Sequence, residues 1–297
     1  MPTELDPAAP DRAAIDAEYD PSLRVASRQP YLDWYLHESA QARETLDCRL
    51  DVPFGPTPAE TLDIFPSQTP NSPVLMFIHG GYWRAFSSKE FSFFASGMVP
   101  HGITVAVMNY ALCPQVTIAE ITRQSRAAVA WLAGNARQHC GNPAEIFVAG
   151  HSAGGQQVGM LLSGSGARGV DAASREAEDA ARLVKGGIAI SGLFDLRPLQ
   201  HSWVQPSLQL TDSLAVEQSP MLQIPSQAAP LLLTVGGDES AAFLSQSQNY
   251  LAAWKKAGLD GEYFPQPGRN HYESIYGFAD PASPLSIAVA DFIEPAR

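Results

Sequence analysis

Residues 73–78, Pro-Val-Leu-Met-Phe-Ile, are apolar at every position and stop abruptly at His79-Gly80-Gly81. A strand with one wet face alternates apolar and polar side chains, so an unbroken run of this length belongs in a parallel sheet covered on both faces. Parallel neighbours need long crossovers, usually helical, and the rest of the chain offers them. Strands are expected at 46–52, 61–65, 103–108, 145–149, 188–190, 231–235 and 262–264, and helices at 31–46, 91–99, 118–136, 153–163, 243–257 and 285–293. The alternation predicts an α/β architecture, a mostly parallel central sheet with helices on both faces.

With 45% of its 297 residues apolar and 17% charged, the chain can bury a sizeable core, which excludes a disordered protein. Residues 31–297 are expected to form a single domain. Residues 1–30 are rich in Pro, Asp and Ala and show no period, so a loosely ordered arm is expected there. Two segments break the rhythm. Residues 164–182 are expected as a surface loop or a ragged helix extension. Residues 196–227, with Trp203 and mixed polarity, fall between two core strands, where a cap could be inserted.

Against 19 Lys and Arg stand 31 Asp and Glu, a net charge of −12. Such a surface lacks the electrostatic footprint of a nucleic-acid binder and has no charge attraction to anionic membranes. The expected partner is a small-molecule substrate, with a homodimer left open. The N-terminal residues lack a basic stretch followed by an apolar run, and no stretch approaches the roughly 18 apolar residues of a membrane span, so a cytoplasmic location is expected. Cys48, Cys113 and Cys140 are far apart, with no Cys-x-x-Cys pair. Buried free thiols are expected, without a disulfide framework, a metal site or a cofactor.

Three motifs carry chemistry. Gly150-His151-Ser152-Ala153-Gly154 follows an apolar strand and precedes a helix. A serine hydroxyl is a poor nucleophile unless exposed beside a base. A sharp strand-to-helix turn exposes it, small flanking residues let strand and helix approach, and the helix N-terminus favours developing negative charge. His79-Gly80-Gly81-Tyr82-Trp83 ends a core strand. Its Gly81 and Tyr82 N–H groups, with that of Ala153, are the expected oxyanion donors. His79 is expected to brace this loop rather than act as a base, while Tyr82 and Trp83 are expected to wall the pocket, Trp83 as a substrate-binding residue. Gly236-Gly237-Asp238-Glu239-Ser240 follows the apolar strand at 231–235, and either Asp238 or Glu239 could orient an imidazole. Asp238 could instead cap the next helix. Of seven histidines, His271 alone lies beyond this loop, which completes the order nucleophile, acid, base.

Together these motifs resemble an α/β-hydrolase of the kynurenine formamidase (arylformamidase) group, related to the hormone-sensitive-lipase-like esterases. The His79–Trp83 stretch is more specific than the broader His-Gly-Gly-Gly of those esterases. Asn109-Tyr110-x-Leu112-x-Pro114, Ser191-Gly192-Leu193-Phe194-Asp195-Leu196-x-Pro198-Leu199, Ser219-Pro220 and Glu239-Ser240-x-x-Phe243-x-x-Gln246-Ser247 are also similar to that group. The resemblance spans about residues 61–293. It implies an α/β-hydrolase fold with a small cap insertion and a triad of Ser152, His271 and an acid four residues before the phenylalanine of the last motif, which is Glu239. The 164–182 segment is longer than the resemblance leads one to expect.

The leading expectation is a serine hydrolase that cleaves a small amide or ester through an acyl-enzyme, with an aryl formamide such as N-formyl-kynurenine first. The alternative is a broad carboxylesterase for short acyl or aryl esters. A non-catalytic binding protein on the same fold is the remote alternative; such proteins typically lose a triad member, and here all three are present in order. A metalloenzyme would need a ligand spacing such as His-x-x-Glu-His, which the chain lacks.

Overall fold

The computed structural model describes residues 11–164 and 172–294. Eight strands form one sheet: β1 (Arg49–Pro53), β2 (Thr61–Phe65), β3 (Ser72–Ile78), β4 (Thr104–Met108), β5 (Gly141–His151), β6 (Val184–Ile190), β7 (Leu231–Gly236) and β8 (Gly261–Gln266). Their order across the sheet is β1-β2-β4-β3-β5-β6-β7-β8. The β1–β2 and β2–β4 pairs are antiparallel and every other pair is parallel. The helices are α1 (Arg12–Tyr19), α2 (Gln29–Thr45), α3 (Phe94–Met98), α4 (Ile118–Asn135), α5 (Ala153–Leu162), α6 (Ala172–Leu183), α7 (Gln205–Leu208), α8 (Asp212–Glu217), α9 (Ala241–Lys256) and α10 (Pro284–Ile293).

Strand β3 shows how the two-sided apolar run is used. All of its residues are buried. Val74, Met76 and Ile78 enter the core on one face, and Leu75 and Phe77 enter the core on the other. The first core takes Ile121 and Val129 of α4, Leu161 of α5 and Trp254 of α9. The second takes Tyr35 of α2, Phe94 of α3 and Val289 of α10. Alternation along one strand thus feeds two helical layers, as expected of an α/β-hydrolase sheet.

The expected loose arm over 1–30 is corrected where it is described; residues 1–10 lie outside the described residues. The Asp11 side chain caps α1. Asp16 Oδ1 accepts from the Trp203 N–H at 2.6 Å, and the Glu18 carbonyl accepts from the Ser240 hydroxyl at 2.6 Å. Glu18 Oε2 accepts from the Ala242 N–H at 2.8 Å, at the positive end of α9. Tyr19 is buried. So short a helix is marginal alone and is held by these contacts, which no local pattern announces.

In the 164–182 segment, residues 165–171 lie outside the described residues. The remainder forms a separate helix rather than an extension of α5: α6 packs on α4 and buries Ala177 and Ala180. The expected helix at 91–99 is a 3-10 turn (Ser88–Glu90) followed by the short α3, because Ser87 and Glu90 form a capping box that tightens the entry. All three cysteines are free thiols, but only Cys113 is buried; Cys48 is half-buried and Cys140 exposed. Among the described residues, no helix is long and apolar enough to cross a membrane.

The junction of β5 and α5 is the tightest point. A Cβ at Gly154 would fall 1.9 Å from the Ile78 carbonyl oxygen, and one at Gly150 would fall 2.2 Å from the Gly154 carbonyl oxygen. Both obstacles are backbone, which cannot step aside. At Gly134, near the end of α4, a Cβ would meet nothing within 4 Å. Urea unfolding should therefore separate two identical exchanges. Gly154→Ala should destabilise by about 3 kcal/mol or more through forced backbone movement, whereas Gly134→Ala should stabilise by roughly 0.5–1 kcal/mol through helix propensity. Equal effects would contradict this packing.

Candidate active site

Strand β5 ends at His151, α5 begins at Ala153, and Ser152 alone makes the turn. Its φ of 58° and ψ of −115° lie in a region that side-chain-bearing residues rarely occupy, at a cost of about 1–3 kcal/mol. The Ser152 N–H donates to the Ile190 carbonyl of β6 at 2.8 Å, and the Ser152 carbonyl accepts from the Gln156 N–H at 3.2 Å. The strained residue is thus pinned from both sides.

From this turn a chain of hydrogen bonds runs inward. Ser152 Oγ lies 3.0 Å from His271 Nε2, and His271 Nδ1 lies 2.6 Å from Glu239 Oε2. A carboxylate only accepts, so Nδ1 carries the ring hydrogen and Nε2 is left with a lone pair toward the serine hydroxyl. Glu239 Oε1 accepts from the Ser191 hydroxyl and from the Gly236 N–H at 2.8 Å. The Glu239 side chain is 0% exposed, and a carboxylate so buried needs these donors. Asp238 is exposed, with its N–H bound to the Arg269 carbonyl. It does not cap α9 either: the Ser240 hydroxyl does, accepting from the Phe243 N–H. Asp195 pairs with Arg197 instead. Of the two acids weighed from sequence, the structure brings Glu239 to the imidazole.

The loop after β3 runs through left-handed backbone at Gly81 (φ 104°), Tyr82 (φ 51°) and Trp83 (φ 56°). The Gly81 carbonyl accepts from the Arg84 and Ala85 N–H groups, and the Trp83 carbonyl accepts from the Cys113 N–H at 2.8 Å. The Tyr82 hydroxyl donates to the Tyr19 carbonyl of α1. Trp83 is a correction. It is 0% exposed and donates its indole N–H to Gln156 Oε1 at 3.1 Å. Its ring packs in the core, so it anchors the loop and does not wall the pocket. His79 braces the loop as expected: its Nδ1 donates to the Gly80 carbonyl at 2.8 Å, and its ring stacks on Tyr110 at 4.1 Å.

A cavity of about 250 Å³ opens on Ser152 and His271. Gly80, Gly81 and Tyr82 line one side; Ala153 is the first residue of α5, and its N–H has no intrahelical acceptor. Sequence reasoning missed other walls, among them Asp20 and Arg28 from the N-terminal segment, Arg84, His151 and Tyr272. Trp203, from the 196–227 segment, also lines it. The support that Ser191 gives Glu239 was missed too, although Ser191 opens one of the recognised motifs. Among the described residues, no group of three or more His, Cys, Asp or Glu is arranged to hold a metal ion.

The BD-FAE family model matches residues 62–254, about two thirds of the chain, and takes in Ser152 and Glu239 but not His271. The chain belongs to the BD-FAE family. It has the α/β-hydrolase fold and is similar to kynurenine formamidases and esterases. It is 27% identical over 247 residues to the kynurenine formamidase of Danio rerio, covering 81% of this chain and 80% of that one. It is 24% identical to esterase LipQ of Mycobacterium tuberculosis, covering 82% of this chain and 61% of LipQ. A crystal structure from Silicibacter sp. TM1040, provisionally named a thioesterase, aligns with a TM-score of 0.78 at 28% identity over 92% of this chain and 97% of that one. The esterase Est2 of Thermogutta terrifontis shares the fold, with a TM-score of 0.62 at 17% identity over 84% of this chain and 91% of its own. The BD-FAE chain is therefore an enzyme of the hydrolase class, acting on an amide or ester bond.

Two buried histidines flank the site. Burial lowers the pKa of His79 from 6.5 to about 4, only partly offset by its bond to the Gly80 carbonyl. Burial, with His271 beside it, also holds His151 well below the ordinary histidine range. Between pH 6.5 and 4 the unfolded chain binds protons that the folded BD-FAE protein refuses, so stability is full above pH 6.5 and falls as pH drops through this window. His79 alone accounts for about 3 kcal/mol across it. Urea unfolding at pH 7 and pH 4.5 should show a loss of at least about 2 kcal/mol; a flat profile would contradict the neutral burial of these rings.

Proposed function

We propose that the protein is a serine hydrolase acting through an acyl-enzyme, with an aryl formamide such as N-formyl-kynurenine as its substrate. The observation that carries this reading is the continuous chain from Ser152 Oγ through His271 to the buried Glu239, opening on a small cavity. Ser152 attacks the acyl carbon and passes its proton to His271 Nε2. Glu239 holds the Nδ1–H and stabilises the imidazolium. The N–H groups of Gly81, Tyr82 and Ala153 receive the oxyanion. His271 returns the proton to the leaving nitrogen or oxygen as its bond to carbon breaks, and water then repeats the sequence on the acyl-serine. Residues 31–297 act as one catalytic domain with 196–227 as its cap, in the cytoplasm.

Relatives named kynurenine formamidase in Danio rerio and Drosophila melanogaster, each 27% identical, support the formamide. LipQ, named an esterase, supports the second reading, a carboxylesterase for short acyl or aryl esters. A formyl group enters any acyl pocket, so the ratio of kcat/KM for formyl-kynurenine to that for p-nitrophenyl acetate separates the two.

Ser152→Ala should lower kcat on the order of 10⁶-fold with an unchanged circular dichroism spectrum; a tenth of wild-type activity remaining would sink the assignment. Glu239→Gln should cost ~10⁴ in kcat, because the amide favours the wrong imidazole tautomer, while the exposed Asp238→Asn should cost at most about tenfold on the same reasoning. The reverse pattern would move the acid to Asp238.

A further inference from the structure

His151 stands between two residues of the proposed machinery and has no part in it so far. Its Nε2 lies 3.0 Å from the carbonyl oxygen of His271. A carbonyl only accepts, so the ring hydrogen is on Nε2 and Nδ1 carries a lone pair. Burial beside His271 keeps this ring neutral, so the lone pair persists. Nδ1 sits where Gly80 has no side chain: a Cβ there would fall 3.0 Å from Nδ1 and 3.1 Å from Ser152 Cβ. Gly80, His151, Ser152 and His271 line the same cavity. A neutral acceptor therefore flanks the nucleophile, without a donor to it among the described residues.

We propose that His151 Nδ1 accepts a hydrogen bond from the N–H of a scissile amide and thereby favours amides over esters at this site. The proposal rests on the serine-hydrolase reading above and deepens it. When Ser152 Oγ bonds to the acyl carbon, the amide nitrogen becomes pyramidal and turns its new lone pair toward His271, which protonates it as the C–N bond breaks. The hydrogen already on that nitrogen must then point elsewhere, and the amine leaves carrying both. An acceptor waiting for that hydrogen stabilises the amide transition state more than the ground state. An ester has no hydrogen on its leaving oxygen and gains nothing. His151 does not compete for the serine proton, because its bond to the His271 carbonyl holds the ring in place.

Formanilide and phenyl formate share acyl group and ring and differ only in the leaving atom, so the ratio of their kcat/KM values reads this contact. His151→Gln keeps an N–H near the position of Nε2 and places nothing at Nδ1. Its ratio should fall about tenfold, the upper worth of a neutral hydrogen bond. His151→Asn places a carbonyl near Nδ1 and gives up the bond to His271. It should hold the ratio within about threefold of wild type while lowering both rates. A His151→Gln ratio equal to wild type, including an equal loss on both compounds, overturns the proposal, because a purely structural role moves both rates together. A second measurement needs no variant: wild-type enzyme should turn over N-methylformanilide, which lacks the N–H, at least about tenfold more slowly than formanilide, and equal rates overturn the proposal. If Ser152→Ala still hydrolyses either compound, the serine reading fails and the proposal with it, whereas an unchanged His151→Gln ratio removes the proposal alone.

Discussion

The strained backbone at Ser152 is the constraint on which the site depends. A serine at φ 58° between strand and helix is stable only where neighbours over-determine it. Here β6 takes its N–H, α5 takes its carbonyl, and the glycines at 150 and 154 let β5, α5 and the end of β3 meet without side chains between them. The sheet must be parallel and buried at this point, because only then do three strand ends converge where one helix begins. The two apolar cores hold the strain in place, since relaxing the turn would separate β5 from both neighbours.

The polar part of the site is organised around one buried carboxylate. Glu239 would be costly at 0% exposure without partners, and it has them from three directions: His271, Ser191 and the Gly236 N–H. Ser191 itself has φ 52°, and its Oγ lies 3.1 Å from that of Ser274, whose hydroxyl donates to the His271 carbonyl at 2.9 Å. The same carbonyl receives His151. The loops after β5, β6, β7 and β8 are thus cross-linked through hydrogen bonds that all end near one imidazole. Helix α1 adds a bridge on the outside, bonding to Tyr82 on one loop and Ser240 on another.

Membership of the BD-FAE family accounts for the fold and the order of these loops, and the cavity wall accounts for what the family pattern leaves open. Arg28 and Asp20 reach the cavity from the N-terminal segment, and Trp203 from the segment between β6 and β7. Loops of this kind vary more readily than the scaffold that carries them.

Much of this was legible in the residues alone. The apolar runs determined the strands of the sheet and the helices that flank it most closely to within a few residues, because burial on two faces leaves an unbroken run that water would not permit. Chain order and spacing singled out Ser152, His271 and the Asp238–Glu239 pair, since a turn between strand and helix is a local event. Trp83 and α1 were not legible, for the same reason in opposite directions. Whether a loop side chain faces a pocket or a core depends on what it packs against, and Trp83 is held by Gln156 and Cys113, far along the chain. Helix α1 is too short to announce itself and exists because Ser240, Ala242 and Trp203, more than 180 positions away, bond to it. The choice between Asp238 and Glu239 was of this kind too. Adjacent residues carry the same charge, and only the tertiary packing turned one inward to the imidazole and the other out to water.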